Sequence, residues 1–397
     1  MGVSKTILGS MQRGSWIRKM FEEGMRLKEE FGPENVFDFS LGNPDLPPPQ
    51  QFKDILREEA AREAPLLHCY MPNAGHAGAR DNVARYYREN YDVPVEGRDI
   101  IMTSGAGGAL NVVLKALLDE NDEVVVLAPY FVEYGFYVSN HARGSARMVV
   151  VQTDDKFLPD PDRLALALTP NTKVVIINSP NNPTGVVYPP ATLDALASVL
   201  EDASAKFGHP IYLISDEPYR EILFDGLTYP GPMMHYANTI ICTSHSKDLS
   251  LAGERIGHIA INPRAEDRDN LAAACSFCNR TLGFVNANSL MQRVVARLHN
   301  ASVDIGIYQR RRDLLCKALK EMGFEFEWPQ GAFYVFPKTP MADDNEFCSF
   351  MRQYRVIVVP GAGFNRPGHF RISYAVPDQT IQNSLEFFNK AAQELGL

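Results

Sequence analysis

A series of short apolar runs, rich in β-branched residues, constrains the fold of this chain more than any other feature. The runs carry apolar side chains at consecutive positions, which is typical of strands covered on both faces. Helical patterns such as that of residues 190–206 lie between them, and this alternation favours a parallel sheet. We therefore expect an α/β fold with a mixed, mainly parallel sheet flanked by helices. The runs are residues 100–103, 123–127, 147–151, 173–178, 211–214, 239–242 and 259–261.

The last third of the chain has a different pattern. A long helical stretch over residues 289–322 precedes short strands around 331–336 and 370–374 and a final helix over 378–394. We expect these elements to form a smaller α+β domain, against which the first 45 residues pack. A chain of 397 residues is long enough for more than one domain. We predict a large domain of residues 46–288 and a small domain formed by residues 1–45 and 289–397.

Composition argues against several classes of function. The net charge of −9 does not suit a nucleic-acid or anionic membrane surface. No apolar run approaches the ~20 residues of a membrane span, and the first residues lack a signal core. The six cysteines are scattered, and the Cys275–Cys278 pair has no second pair, so we expect reduced thiols and no metal site. The expected location is the cytoplasm.

Polar, turn-rich segments follow five of the predicted strands. Ligands bind outside the carboxyl ends of the strands in open α/β sheets, so these segments are expected to meet in one crevice. The glycine-rich turn that opens a helix suits a phosphate. Taken alone, Asp216 is more often a helix cap or part of a structural ion pair, and Lys247 is more often a surface residue. Their order and joint presence favour a catalytic site. The segments are residues 104–108, 128–131, 179–185, 215–219 and 243–247.

Four of the chain's motifs resemble those of the class I and II aminotransferases, in the aspartate aminotransferase superfamily of fold type I. They are Ser-Pro-Asn-Asn-Pro-Thr-Gly at 179–185, Ser-Asp-Glu-Pro-Tyr at 215–219, Ser-His-Ser-Lys at 244–247 followed by Gly-Glu-Arg at 253–255, and Phe-Arg-Ile-Ser-Tyr at 370–374. The resemblance covers almost the whole chain. It implies an enzyme that uses pyridoxal 5′-phosphate.

The resemblance also implies roles for individual residues. Lys247 would carry the cofactor as a Schiff base and then move the substrate proton as a general base and acid. Asp216 would keep the ring nitrogen protonated, which makes the ring an electron sink. Tyr219 and Asn182 would hydrogen-bond the phenolate oxygen. Phe131 would stack on the ring face.

The remaining contacts implied by the resemblance concern the phosphate and the substrate. Arg371 would bind the substrate α-carboxylate, and Gly42 would let the amino-terminal segment close over it. A tyrosine from a neighbouring subunit would reach the phosphate, so a homodimer is expected. The phosphate ligands would be Ala106, Gly107, Ser244, Ser246, Arg255 and, from the neighbouring subunit, Tyr70.

The implied reaction is ping-pong amino transfer between an L-amino acid and a 2-oxo acid. Other outcomes with the same cofactor stay open, because no motif shows which bond at Cα is broken; these are carbon–sulfur lyases, decarboxylases, racemases and ring-forming synthases. An aspartate-type enzyme needs a second cation for the distal carboxylate, for which Arg280, Arg293 and Arg297 are candidates. An aromatic or alanine-type substrate is equally allowed.

Two interpretations lie outside this chemistry. Ser244 and Lys247 match the Ser-x-x-Lys pattern of some serine hydrolases, but the segment follows a strand and the companion motifs are missing. A non-catalytic effector-binding protein of the same fold needs a fused DNA-binding module. We expect no such module here, because the Gly42 segment comes early and the chain is acidic.

Overall fold

A seven-stranded sheet forms the centre of the fold, in a computed structural model that describes residues 2–12, 16–299 and 301–397. The strands are β1 (Phe37–Asp38), β2 (Ile100–Thr103), β3 (Glu123–Ala128), β4 (Arg147–Gln152), β5 (Thr172–Asn178), β6 (Tyr212–Asp216), β7 (Thr239–Ser244), β8 (Gly257–Ile261), β9 (Tyr334–Val335), β10 (Val356–Ile357), β11 (Val359–Pro360) and β12 (Phe370–Ser373). The central sheet has the order β2-β8-β7-β6-β5-β3-β4.

The helices lie mainly between the strands of this sheet and after its last strand. They are α1 (Lys5–Gln12), α2 (Trp16–Phe31), α3 (Gln50–Ala61), α4 (Ala77–Tyr91), α5 (Gly105–Leu117), α6 (Tyr134–Ser139), α7 (Pro161–Ala167), α8 (Pro190–Phe207), α9 (Arg268–Thr281), α10 (Ser289–Val295), α11 (Ile305–Glu321), α12 (Asp344–Gln353) and α13 (Asp378–Leu395). Among the described residues, no helix has both the length and the apolar character needed to cross a bilayer.

The central sheet is mixed and mainly parallel, as predicted. Strand β8 runs antiparallel to both of its neighbours, β2 and β7, whereas the other pairs are parallel. Parallel strands are hydrogen-bonded along both edges and covered on both faces, which explains their unbroken apolar sequences. The predicted α/β fold is therefore confirmed.

Alternate residues of each strand point to opposite faces of the sheet and enter different cores. On one face Val124 and Val126 pack with helices α5 and α9. On the other face Val125 and Leu127 pack with α7 and α8. The carboxyl ends of the strands are thereby fixed at one edge, between two layers of helices.

A further core joins both ends of the chain. Strand β1 pairs in parallel with β10, and β11, β12 and β9 form a small antiparallel sheet. Phe37 and Phe39 from the amino-terminal segment pack in one cluster with residues of α11, α12 and α13. The expectation that the amino-terminal segment packs against the last third of the chain agrees with this contact.

The prediction of one long helix over residues 289–322 is wrong. Helix α10 ends at Val295, and α11 begins at Ile305. The Asp304 side chain caps α11 by accepting from the Gly306 N–H, and the Val303 N–H donates to the Asp248 carbonyl at 2.8 Å instead of to a helical partner. Because the Val303 N–H bonds a distant segment, the helix is interrupted between α10 and α11.

We propose that the chain has two domains, close to the predicted division. The central sheet with its helices forms the larger one, and the cluster containing Phe37 and helix α13 forms the smaller one. Helix α10 packs on α3 and α4 through Met291 and Val294, which supports a division between α10 and α11.

The packing of α8 makes a prediction about stability. Leu200 is fully buried in the core on one face of the sheet, whereas Leu166 on α7 is 88% exposed. Leu200→Ala should lower the free energy of unfolding by about 2–5 kcal/mol, because it leaves a cavity in a packed core. Leu166→Ala should change it by no more than about 0.5 kcal/mol. Urea unfolding of both variants measures the difference, and equal effects would contradict this account of the core.

Candidate active site

A cavity of about 310 Å³ lies at the edge where the carboxyl ends of the strands meet. Five strand-end segments contribute to it, as the sequence predicts, and segments from the smaller core close its other side. The structure brings together in its lining all the predicted site residues except Tyr70. These are Gly42, Ala106, Gly107, Phe131, Asn182, Asp216, Tyr219, Ser244, Ser246, Lys247, Arg255 and Arg371.

Lys247 follows strand β7 and points into this cavity. Its Nζ donates a hydrogen bond of 2.6 Å to the carbonyl oxygen of Gly42. Burial lowers the pKa of Lys247 to about 8, and the positive charges of Arg371 and Arg255 act in the same direction. An amine with this pKa is partly neutral near physiological pH, which a nucleophile or a base requires.

Asp216, the last residue of β6, is a buried carboxylic acid. Burial raises its pKa to about 7, and a hydrogen bond from Tyr134 opposes that shift. The Tyr134 hydroxyl donates to Oδ2 at 2.5 Å, whereas Oδ1 is buried and has no hydrogen-bond partner among the described residues. A buried polar atom without a partner is uncommon, and Asp216 lines a cavity large enough for a ligand.

The loop after β5 holds Asn182 beside Asp216. Asn178 donates to the Asp216 carbonyl at 2.8 Å, and its Oδ1 accepts from the Asn182 N–H at 2.7 Å. Gly185 ends the loop with φ +73°, and an added Cβ would lie 2.7 Å from the Tyr334 carbonyl oxygen. Only glycine suits this position, because a side chain would clash and the backbone is left-handed.

The turn between β2 and α5 forms a basic cradle. Gly105 has φ +71°, and an added Cβ would lie 2.5 Å from Nη2 of Arg255. The first N–H groups of α5 have no partner within the helix, and the hydroxyls of Ser244 and Ser246 line the same part of the cavity. Free amides, hydroxyls and a guanidinium together suit a phosphate group.

Arg371, on β12, supplies a second guanidinium to the cavity. Its Nη1 donates to Oδ1 of Asn182 at 2.9 Å and its Nη2 to the Ser40 carbonyl at 2.5 Å. The guanidinium lies 4.7 Å from the Tyr334 ring centre and 4.9 Å from that of Phe364. Arginine stays charged even when buried, so this group attracts an anion into the cavity.

Tyr219 and Gly42 meet at Tyr334. The hydroxyls of Tyr219 and Tyr334 are 2.8 Å apart. A Cβ at Gly42 would overlap the Tyr334 hydroxyl, so glycine at this position lets the amino-terminal segment approach the ring. Phe131 lies on another wall, and its ring packs edge-on against Tyr134 with centres 5.7 Å apart.

Tyr70 lies outside the cavity. Its side chain is 91% exposed, and it lines a separate surface depression with Phe284 and Asn286. Within a single chain the structure does not bring Tyr70 to the phosphate cradle. The predicted contact therefore depends on a second subunit.

The candidates for a distal cation are also outside this cavity. Arg293 and Arg297 both pair with the buried Glu59, at 3.2 Å and 2.9 Å. Arg280 lies over the ring of Phe277, 5.2 Å from its centre. Within one chain, none of the three arginines lines the cavity.

Sequence reasoning missed several residues that line or support the site. Asn178 lines the cavity, although the sequence indicates it only as the end of a strand. Tyr137 also lines the cavity, and its hydroxyl lies 3.0 Å from the position that a Cβ of residue 107 would occupy. Tyr134 is fully buried behind Asp216. The available signals were the spacing of Tyr134, three residues after Phe131, and the position of Tyr334 in a predicted strand.

The chain is similar to known aminotransferases. The family model for aminotransferases of class I and II matches residues 34–388. A probable aspartate/prephenate aminotransferase from Thermus aquaticus is 34% identical over 359 residues, which is 89% of this chain and 91% of that protein. The aspartate aminotransferase of Pyrococcus horikoshii is 29% identical over 388 residues, which is 96% and 95% of the two chains.

Solved structures show the same similarity. The crystal structure of an amino transferase from Eubacterium rectale matches with a TM-score of 0.95 and 38% identity, and the match covers 100% of both chains. The aspartate aminotransferase of Thermus thermophilus with maleate matches with a TM-score of 0.84 and 29% identity, over 98% of this chain and 100% of that one. This chain belongs to the class I and II aminotransferases, which use pyridoxal 5′-phosphate.

The residues of the cavity fit this cofactor. The buried Oδ1 of Asp216 can accept from the ring nitrogen, and it otherwise has no partner among the described residues. Any side chain at position 105 would fill the cradle between Gly105 and Arg255. Because glycine has no side chain, space is left there for a phosphate. Lys247 lies in the same cavity with the lowered pKa that attack on an aldehyde requires.

The cradle makes a prediction about cofactor affinity. Gly105→Ala should raise the Kd for pyridoxal phosphate at least about tenfold, because the new Cβ displaces a guanidinium bonded to an anion. Gly208→Ala is the matched control, because Gly208 also has a left-handed backbone, with φ +76°, and its Cβ would meet nothing within 4 Å. Absorbance titration of the two apoenzymes measures both values. Equal affinities would show that the phosphate does not occupy the cradle.

Proposed function

We propose that this cavity transfers an amino group between an L-amino acid and a 2-oxo acid, with Lys247, Asp216 and Arg371 as its principal residues. The observation that carries the proposal is the joint placement of an amine, a buried acid and a buried guanidinium in one cavity. Each group has a separate environment, so each can serve a different part of the cofactor and substrate. Tyr219 and Asn182 lie between them.

Pyridoxal phosphate, when bound, supplies an electron-withdrawing ring that acidifies the Cα–H of an attached amino acid. Asp216 would hold the ring nitrogen through Oδ1, because an acceptor in a dry site favours the protonated nitrogen. Ser244, Ser246, Arg255 and the backbone of Ala106 and Gly107 would hold the phosphate. Tyr219 and Asn182 would donate to the phenolate oxygen, and Phe131 would cover the ring.

Lys247 is the residue placed to move the substrate proton. Its Nζ is hydrogen-bonded to a carbonyl at the cavity wall and carries no ion pair among the described residues. With a pKa of about 8, it is a base of useful strength near neutral pH. We infer that Nζ would take the proton from Cα and deliver it to C4′ of the cofactor, and would move a proton in the opposite direction in the second half of the reaction.

Arg371 would bind the substrate α-carboxylate. The side chain is fully buried and is held by Asn182 and the Ser40 carbonyl, so its direction is fixed before substrate arrives. The Nε atom is buried and has no partner among the described residues. A carboxylate can take a bidentate position on such a group.

The substrate side chain is left open. Relatives of this chain are named for aspartate, for prephenate and for aromatic amino acids. The cations on the cavity wall are Lys247, Arg255 and Arg371, and each has a role above. A distal carboxylate would therefore need a group from outside the single chain, and an aspartate-type reaction is one outcome of the test below.

We infer that the active form is a homodimer. Tyr70 is large, aromatic and almost fully exposed, in a segment that ends beside the surface residues Phe284 and Asn286. Such a residue suits an interface, where its ring is buried and its hydroxyl finds a partner. In this arrangement Tyr70 would reach the phosphate of the other subunit.

We also propose a reducing compartment, the cytoplasm. All six cysteines are unpaired, and every one except Cys69 is buried. Cys275 and Cys278 lie in the core beside α5, as small apolar residues do. Burial raises the pKa of the Cys275 thiol to about 12, which keeps it unreactive.

Amino transfer makes a prediction about donors. A panel containing aspartate, tyrosine, phenylalanine and alanine should include at least one donor that converts the enzyme-bound cofactor to its pyridoxamine form, followed by absorbance. Arg371→Gln should lower kcat/KM for that donor by about 10²-fold or more, because the carboxylate loses a charged hydrogen-bond partner. Arg310→Gln, an exposed arginine on α11, is the control and should behave as wild type. If no donor converts the cofactor, the proposed reaction is wrong; carbon–sulfur bond cleavage or decarboxylation would then give different products.

The lowered pKa of Lys247 makes a prediction about cofactor capture. Only the neutral amine attacks the aldehyde, so the rate at which the apoenzyme captures pyridoxal phosphate should rise with pH up to about 8 and then level off. With an ordinary lysine, the rate of capture would keep rising up to about pH 10.4. Stopped-flow absorbance gives the rates, and borohydride reduction with peptide mapping identifies the lysine. Lys247→Ala should give no trapped adduct, and an unchanged adduct would contradict the assignment.

A further inference from the structure

Tyr134 donates a hydrogen bond to Asp216 but does not line the cavity. We propose that Tyr134 is a positioning residue for amino transfer: its hydroxyl, by donating to Oδ2 of Asp216, holds Asp216 as a carboxylate and leaves Oδ1 for the cofactor's ring nitrogen. The inference rests on the proposed function, because it concerns how Asp216 performs its role there.

Packing fixes the position of the Tyr134 ring. Tyr134 opens helix α6, and its N–H donates to the Phe131 carbonyl at 3.1 Å. The side chain is 1% exposed and belongs to the core on one face of the sheet. Phe131 packs edge-on against it and Tyr130 stacks at 6.3 Å between ring centres. The hydroxyl is therefore held at 2.5 Å from Oδ2 by the core, independently of any ligand.

The direction of this hydrogen bond follows from the two acidities. Burial and the nearby Asp216 raise the pKa of Tyr134 well above its usual value, so the phenol keeps its proton. A neutral phenol beside a carboxylate oxygen donates. Oδ2 is then the accepting oxygen, and a proton added to Asp216 goes to Oδ1 or displaces Tyr134.

The donor matters because Asp216 would otherwise hold a proton. Burial alone favours the neutral acid, and the Tyr134 hydroxyl is the hydrogen bond that favours the charged form. A neutral Asp216 would present a hydroxyl where the ring nitrogen needs an acceptor. Removing one hydrogen bond to a carboxylate should raise the acid's pKa by about one to two units.

Other titratable groups also face Asp216, but none of them donates to it in the described structure. They lie on the neighbouring strand, on the following loop and on helix α6. All of them are neutral or acidic, so none supplies positive charge in place of Tyr134. They are Tyr137, Glu217, Tyr219 and Cys242.

The two oxygens of Asp216 consequently have different partners. Oδ2 accepts from Tyr134, which belongs to the core, whereas Oδ1 has no partner among the described residues and is left for the cofactor. A role limited to filling space would not depend on the hydroxyl. Tyr134→Phe keeps the ring and removes only the donor, and therefore separates the two roles.

The experiment is a carbon-13 NMR titration of the apoenzyme with labelled Asp Cγ, in which the Asp216 signal is identified by its loss in Asp216→Asn. In wild type, Asp216 should titrate near pH 7. In Tyr134→Phe, the midpoint should lie about one to two units higher. Tyr236→Phe is the matched control, because Tyr236 is a buried tyrosine of the other core whose hydroxyl donates to the Ile211 carbonyl and not to Asp216, and its midpoint should equal that of wild type. An unchanged midpoint in Tyr134→Phe overturns the proposal.

Cofactor binding provides a second measurement, in which the direction of the change in affinity is predicted. Ionised Asp216 is the charge-paired acceptor for the protonated ring nitrogen, so Tyr134→Phe should bind pyridoxal phosphate about 10- to 100-fold more weakly at pH 6. The difference should close as pH rises above the variant's Asp216 midpoint, because Asp216 is then ionised in both proteins. A loss of affinity that is equal at all pH values would show a merely structural role and would overturn the proposal.

Two further results separate the possible failures. If Tyr134→Phe does not fold, the test uses wild-type apoenzyme labelled at Tyr Cζ. The chemical shift of the Tyr134 signal should change at the pH where Asp216 titrates. A Tyr134 signal that does not respond to this titration overturns the proposal. If the wild-type NMR result holds but no amino donor converts the cofactor, the proposed reaction fails while the Tyr134–Asp216 bond stands.

Discussion

The parallel hydrogen bonding of the central sheet is the constraint on which the rest of the structure depends. Parallel strands must return to the same end of the sheet before each new strand, so their carboxyl ends and the loops that follow them gather at one edge. Strands β2, β3, β5, β6 and β7 each end there in a polar segment. Residues as far apart in sequence as Ala106 and Lys247 meet for this reason, and the layers of helices keep water from the far side of the site.

This constraint also explains what could be predicted from the sequence. Unbroken β-branched runs identify buried strands, and the residue that follows each run is then located without further information; Asp216 and Lys247 were placed correctly in the cavity by this argument. The helix break between α10 and α11 could not be predicted, because it depends on the Val303–Asp248 hydrogen bond between distant segments. Tyr134 was missed for a similar reason, since its role depends on which side of α6 faces β6. The contact of Tyr70 stays a prediction that a single chain does not test.

Electrostatics in the site depend on burial more than on net charge. The chain is acidic overall, with a net charge of −9, yet its cavity is lined by Lys247, Arg255 and Arg371. Desolvation lowers the pKa of Lys247 to about 8 and raises the pKa of Asp216 to about 7. An amine and an acid that would normally be fully charged are therefore both close to changing protonation state at neutral pH, which suits a reaction made of proton transfers.

The loop that ends at Gly185 has a mechanical consequence. Its carbonyl accepts from the backbone N–H groups of both Gln330 and Gly331, and three residues earlier Asn182 accepts from Arg371. The loop thus ties the sheet to the part of the chain that carries Arg371. These hydrogen bonds limit how far the part that carries Arg371 can move away from the sheet. The distance between the guanidinium and the strand ends is therefore set by the backbone and not by the substrate.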